Sequence, residues 1–304
     1  MRIRGIISLL LFALIVGCGW RYFALHRAEF RLLTTLSLAP ILALTFVRMI
    51  LGVMNAFQLK ILTDAYGLNL TFPQWYGLSR MTTFAGLLLP FPASASFRAM
   101  YLKRFHDFPY SSFLASNAIT SIIKIMLNAL FAVLILLPRW RISVSLLLFA
   151  AALFTACAGF LLLAHRIPSR WLSFWVRLQH LAAQWGRIRS DRRSVLQLGV
   201  LHAASFVVAA CGVVAAFRAF NIEVPFAACA VIAAYGTISG TMKLIPGDLG
   251  SREFLYAFIS SVFGVGVNEA LHAAVLHRIV ETILTLLLTP TFLIPLNQPK
   301  RDKP

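Results

Sequence analysis

The sequence predicts an all-α integral membrane protein: about six spanning helices and two oppositely oriented re-entrant helical hairpins, arranged as an inverted repeat. Three observations predict it. First, 60% of the 304 residues are hydrophobic and 12% are charged, with a mean hydropathy of +0.81, whereas a soluble domain carries about a quarter charged residues. Second, apolar stretches of roughly 20 residues, the length that crosses a bilayer, recur along nearly the whole chain. Third, two of these stretches break at proline-rich points and carry an arginine just beyond. One reads Gly86 to Leu89, Pro90, Phe91, Pro92, then Ala93 to Phe97 and Arg98; the other reads Lys243 to Ile245, Pro246, Gly247, Asp248, Leu249, Gly250, Ser251, Arg252 and Glu253. A further cation follows each arginine by 26 residues, Lys124 after Arg98 and Arg278 after Arg252. Paired, interrupted apolar segments at matching places in two halves point to a site near the bilayer midplane, because unwound backbone at that depth survives only against protein or a wet cavity.

Taken in order, the elements are a first helix at about 5–25, a second at about 32–62, and the first broken segment at about 74–104. Helices at about 110–137 and 142–164 follow. Met1-Arg2-Ile3-Arg4 and the apolar run after it resemble a secretory signal. That run is longer than the usual 7–15 residues and ends without a small-x-small cleavage pattern, so it reads as a retained helix. From 165 to 194, Arg166, Arg170, Arg177, Arg187, Arg189, Arg192 and Arg193 interleave with Trp171, Trp175 and Trp185. This pattern fits a helix lying against an anionic leaflet, or equally a solvated basic loop that sets orientation; both place it in the cytoplasm. A helix at about 195–220, the second broken segment at about 226–263 and a last helix at about 268–294 complete one polytopic domain over 1–304. Repeat one covers about 32–137 and repeat two about 195–294.

Charge bias selects the topology. With both broken segments re-entrant, the two termini fall on the same side as the basic central loop, as the positive-inside rule prefers. Each hairpin arm of roughly 13–18 residues is about 20–27 Å of helix, short for a full crossing. Arg21, Arg27, Arg31, Arg139 and Arg141 run against this bias. The two hairpins then enter from opposite faces.

The intramembrane polar residues define the candidate site. A mid-bilayer lysine or arginine costs roughly 2.5–3.5 kcal/mol on insertion scales, so such residues face protein or a wet cavity. Lys124 lies on a stripe with Asn117, Thr120, Ser121 and Asn128 and has no acid at three- or four-residue spacing. Arg278 has Glu281 three residues on, and a neutralised pair is the plain alternative to an anion ligand. Arg98 and Arg252 fall near the starts of the second arms, where helix amides favour anions. Glu253 is either the partner of Arg252 or the acid that caps that arm. Pro90, Pro92, Pro246, Gly247 and Gly250 are the breaks, and Asp248 suits an ordinary turn. His272, His277 and Glu281 are conceivable proton carriers, a packed histidine being the commoner case. Arg48, Arg80, Arg218 and Lys243 are read as side chains reaching for the interfaces.

Function classes are excluded in turn. The net charge of +18 comes without a nucleic-acid motif and is a topology signal. Cys18, Cys157, Cys211 and Cys229 lie in apolar runs without paired spacing, as small core residues do. No nucleophile–base pair, metal-ligand cluster or nucleotide loop is evident, so no catalytic residue, metal or cofactor is expected.

The stretch Ile245 to Glu253 resembles the signature of the lysylphosphatidylglycerol synthase transmembrane region, a flippase-like (AglD/YbhN-like) family. The Leu89-Pro90 break with Arg98, and Leu276-His277-Arg278, resemble its other marks, over about 5–294. The resemblance implies an inner-membrane protein with two re-entrant hairpins that handles anionic or polyprenyl-linked lipids. Where the family often has an acid-arginine pair and a downstream aspartate, this chain has Ile123, Lys124 and Asn128. Its end at Pro304 leaves no room for the aminoacyl-transferase domain of full synthases, so lipid aminoacylation is not expected. The expected function is translocation of an anionic lipid, phospholipid or polyprenyl-phosphate type, past Arg98, Lys124, Arg252 and Arg278. The alternative is an accessory or glycosyltransferase-like part in envelope glycolipid assembly. Membrane lipids are the expected partners, and nucleic acid is not.

Overall fold

A computed structural model describes residues 38–88, 93–141, 143–163, 185–186, 188–242 and 250–296. The predicted first helix, the breaks Pro90, Pro92, Pro246 and Gly247, most of the 165–194 linker and the basic tail lie outside the described residues. The chain divides into two compact units, Met1–Ala39 and Pro40–Pro304. The described helices belong to the second, the first of them beginning at the boundary.

Every described element is helical. In chain order they are α1 (Leu38–Asp64), α2 (Phe72–Leu88), α3 (Ala93–His106), α4 (Tyr110–Leu136, running into a 3₁₀ turn at Leu137–Arg139), α5 (Val144–Leu163), α6 (Arg192–Arg218), α7 (Phe226–Met242), α8 (Ser251–Val262) and α9 (Val267–Leu296). Among the described residues, five helices are long and apolar enough to cross a membrane: α1, α4, α5, α6 and α9. Each of the two segments expected to break holds two described helices, α2 and α3 in the first and α7 and α8 in the second. These arms have 17, 14, 17 and 12 residues. At about 1.5 Å per residue none reaches the ~30 Å of a hydrocarbon core.

The turns into the first arms are alike. After α1, Gly67 takes φ 76° and Leu68 N–H donates to Thr63 O at 2.9 Å; after α6, Asn221 takes φ 57° and Ile222 N–H donates to Phe217 O at 3.2 Å. Both are left-handed terminations in which the chain bonds back across the last turn. Asn is the non-glycine residue best suited to that conformation.

Packing sorts the helices by depth. On α7 the run Ala228 to Tyr235 is buried without interruption, and on α2 the run Trp75 to Arg80 is likewise buried. A helix buried on all sides needs no amphipathic pattern, and the alanines of α7 let its neighbours approach closely. α2 packs on α3 and α7 on α8. α2 also packs on α9, and α7 on α4, long helices distant from them in the chain. Tyr76 meets Phe292 edge-on at 5.0 Å across the first contact. Phe131 stacks on Phe206 at 4.5 Å between α4 and α6, and Tyr235 Oη donates to Leu146 O at 2.5 Å, tying α7 to α5.

The outward faces are apolar. Leu42, Phe46, Met49, Val53 and Phe57 form an exposed stripe on α1, with three- and four-residue spacing that keeps them on one side. In water such a stripe would be a liability; against lipid it is the expected surface. Arg48, Gly52 and Asn55 occupy another side of the same helix, and the candidate site is assembled there.

Candidate anion site between the helices

α8 begins at Gly250, whose φ of 81° suits glycine. Its free N–H donates to Glu253 Oε2 at 3.0 Å, so Glu253 is the acid that caps this arm. The same oxygen accepts Arg278 Nη2 at 2.8 Å, both side chains being largely buried. One carboxylate therefore closes the helix start and pins α8 to α9. Tyr256 and His277 hydrogen-bond through Oη and Nδ1 between the same helices.

Glu281, one turn along α9 from Arg278, takes two other cations. Arg252 Nη1 donates to its Oε2 at 2.5 Å, and Arg48 of α1 ion-pairs with that same oxygen. Arg48 was expected to reach for an interface, and the structure corrects this. A carboxylate lies within its radius inside the protein, and pairing there is cheaper than stretching through apolar packing. Arg80 is corrected too. It is 6% exposed, with its guanidinium 5.1 Å from the Tyr76 ring centroid and lying against Gly52 of α1.

Arg98 lies in the second turn of α3 and is held by α2. Its Nε donates to Thr82 Oγ1 at 2.8 Å and its Nη2 to Ser79 Oγ at 3.3 Å. Arg80 follows Ser79 directly in α2, and its guanidinium reaches α1 at Gly52, one turn from Arg48. Arg48 and Arg252 meet on the same Glu281 oxygen. Arg48 and Arg252 thus share Glu281, Arg278 takes Glu253 from the neighbouring turns of α8 and α9, and Arg80 stands on α2, which also holds Arg98; Glu253 and Glu281 are the acids seen here among the described residues.

Lys124 and Asn128 sit apart, on α4. Lys124 Nζ donates to Asn55 Oδ1 at 3.2 Å, and Asn128 Nδ2 donates to the Lys124 carbonyl at 2.9 Å. The polar stripe is satisfied partly by its own helix, since Thr120 and Ser121 both donate to the Asn117 carbonyl at 2.9 Å. Asn128 Oδ1 is buried without a hydrogen-bond partner among the described residues.

Arg252 therefore meets Glu281 and Arg278 meets Glu253, while Arg98 is held by α2, the helix of Arg80, which lies against α1 at Gly52, one turn from Arg48. Lys124 and Asn128 are linked to the group through α1, which offers Arg48 to Glu281, Gly52 to Arg80 and Asn55 to Lys124. Those three residues are spaced four and three apart, one helical face. Reading α1 by its polar face, opposite the Phe46–Val53–Phe57 stripe, was the signal that could have found Arg48.

The described residues contain no group of three or more His, Cys, Asp or Glu side chains able to hold a metal. What they do hold is a cation-rich interior in a helical, multi-pass membrane protein. Residues 2–289 match the family described as Lysylphosphatidylglycerol synthase TM region, and the chain belongs to that family. The match is to the family's membrane region and supports a lipid-related role in the membrane. A search of the curated proteins finds none that matches.

Proposed function

We propose that the protein is a lipid translocase that carries an anionic headgroup, of a phospholipid or a polyprenyl phosphate, past the arginine group between its hairpins. The observation that carries this reading is a gathering of cations. Among the described residues, Arg48, Arg80, Arg98, Arg252 and Arg278 gather around α1, α2, α8 and α9, and the carboxylates seen to meet them are Glu253 and Glu281. Buried cations in excess of their partners are costly, and an anionic guest offsets that cost. Guanidinium groups bind phosphate through paired hydrogen bonds. The protein acts without covalent chemistry, and Lys124 and Asn128 serve the guest on the α4 side.

The arms are re-entrant, and repeats one and two are related by inversion. Three observations support this. The arms are too short to cross and pack back on their mates. The contacts come in matched pairs: α2 with α3 and α7 with α8; α3 with α4 and α8 with α9; α2 with α9 and α7 with α4. Finally, Asp64 and Arg218, Phe72 and Phe226, Leu88 and Met242, Arg98 and Arg252, and Lys124 and Arg278 are each 154 residues apart. One constant offset across helix ends and cations is what a duplicated unit leaves. The membrane is the inner membrane, with both termini cytoplasmic.

The test is scrambling of fluorescent anionic lipids in proteoliposomes, comparing the intact protein with Arg98→Ala and Arg252→Ala. Transport that is lost in both variants supports the reading. Transport that survives both, or none with any anionic lipid, ends it.

A further inference from the structure

The two halves of the arginine group differ in how their charge is compensated. In the second half, Arg252 and Arg278 each meet a glutamate, at 2.5 and 2.8 Å. In the first half, Arg98 is held by the neutral hydroxyls of Thr82 and Ser79. Arg80 has no carboxylate at ion-pair distance among the described residues, and its buried Nε has no hydrogen-bond partner among them. At the same 154-residue offset, the places of Glu253 and Glu281 are taken by Ala99 and Leu127. The first half therefore has the cations without the acids.

Arg80 is nonetheless held in place. A Cβ at Gly52 would fall 1.8 Å from Nη2 and 2.6 Å from Cζ, so the guanidinium occupies the space that the missing side chain leaves. Tyr76, one turn back on α2, faces its cation. Among the described residues Arg80 is thus buried, positioned and without a carboxylate, and Arg98 is held by the same helix through Thr82 and Ser79, an arrangement that suits an anion better than a structural ion pair does.

We propose that Arg80 and Arg98 form the phosphate subsite of the translocation path and select a doubly charged phosphate monoester over a singly charged phosphodiester. This deepens the translocase reading and rests on it. Among the described residues neither Arg80 nor Arg98 has a carboxylate at ion-pair distance, which leaves two positive charges on this side of the site. A phosphodiester removes one of them. A monoester carries about −1.5 to −2 near neutral pH and presents three strongly accepting oxygens, enough to receive both guanidinium forks.

The experiment uses the full chain in detergent and measures binding of three probes: dioctanoyl phosphatidic acid, dioctanoyl phosphatidylglycerol and inorganic phosphate. The intact protein should bind phosphatidic acid about tenfold or more tightly over phosphatidylglycerol, the ratio expected of one additional charge-assisted hydrogen bond. Arg80→Gln should remove that preference by weakening phosphatidic acid alone. Gly52→Ala, which displaces the guanidinium without deleting its charge, should act in the same direction and covers the case in which Arg80→Gln fails to fold. Equal binding of the two lipids by the intact protein, or an equal loss for both in the variants, overturns the proposal. Inorganic phosphate bound as tightly as phosphatidic acid keeps the dianion subsite and assigns it to an aqueous anion instead of a lipid. Scrambling in proteoliposomes separates the two readings. Selective binding without transport overturns the translocase and keeps the subsite; equal transport of both lipids, insensitive to Arg80→Gln, overturns the subsite and keeps the translocase.

Discussion

Glu281 holds two arginines from two different helices, Arg48 from α1 and Arg252 from α8, and this makes it the residue whose loss should cost the fold most. Removing one partner of a mostly buried ion pair leaves a charge stranded. Glu281→Gln strands two, and the expected destabilisation is roughly 2–3 kcal/mol, at the low end of that class because the carboxylate keeps some contact with solvent. Thermal unfolding in detergent checks it. The simultaneous change Arg48→Met with Glu281→Gln should recover part of the loss, since it removes one of the stranded cations together with the acid. Asp191 is the other informative acid, at the N-cap of α6. Ser194 Oγ hydrogen-bonds to its Oδ2, and the Ser194 and Arg193 N–H groups donate to its Oδ1 at 3.3 and 3.2 Å. The Ser194 hydroxyl first, then the Ser194 amide, hold the Asp191 carboxyl below its ordinary value. Its contribution is therefore fully present above the ordinary carboxylate range and is lost as pH falls through the lowered value. Asp191→Ala should loosen the first turn of α6 at neutral pH and make no difference in strong acid, as read by amide hydrogen exchange at the two conditions.

At the scale of elements, α1 is anchored in the core at its C-terminal end by Ala56, Leu59, Ile61 and Leu62, and polar side chains reach across from its middle: Arg48 to α9, Asn55 to α4, and Met54 to Ser205 of α6 with Sδ 3.7 Å from Oγ. The apolar anchor at one end and polar links in the middle make the middle the place where a shift of α1 would be felt. Cysteines at 54 and 205, in a background where Cys18, Cys157, Cys211 and Cys229 are replaced, should crosslink with a short bifunctional thiol reagent. If α1 moves during translocation, that link should lower lipid scrambling at least several-fold, and reduction should restore it. The short arms α2, α3, α7 and α8 were legible from prolines and glycines alone. Their mutual packing was not, because α2 on α9 and α7 on α4 are contacts between distant parts of the chain with no local signature.

For the whole molecule, the re-entrant arrangement makes a prediction that a through-crossing one reverses. Cysteines placed at Gly67 and at Asp107, which flank α2 and α3, should be labelled from one face of the membrane. Those at Asn221 and Gly264, which flank α7 and α8, should both be labelled from the other. A membrane-impermeant thiol reagent, applied to intact cells and to inverted vesicles, checks this. If the two ends of either pair label from opposite faces, that segment crosses and the inverted repeat is lost.

Composition and hydropathy were enough to determine that the chain is helical and lives in a bilayer, because hydrophobic length is a local property that needs no knowledge of the fold. The breaks, the 26-residue cation spacing and the family resemblance were local as well. Which acid meets which arginine was decided by tertiary structure alone. Glu253 looked equally fit to pair with its neighbour Arg252, and Glu281 with Arg278 on the same helix face. The fold instead places Glu253 at the Gly250 cap facing Arg278, and brings Glu281 to Arg252 and Arg48. Arg80 was likewise placed by a contact no local pattern announces, a glycine on another helix that leaves room for its guanidinium. Charge pairing inside a bilayer depends on the relative height and rotation of helices, and those follow from how the whole set of side chains packs together.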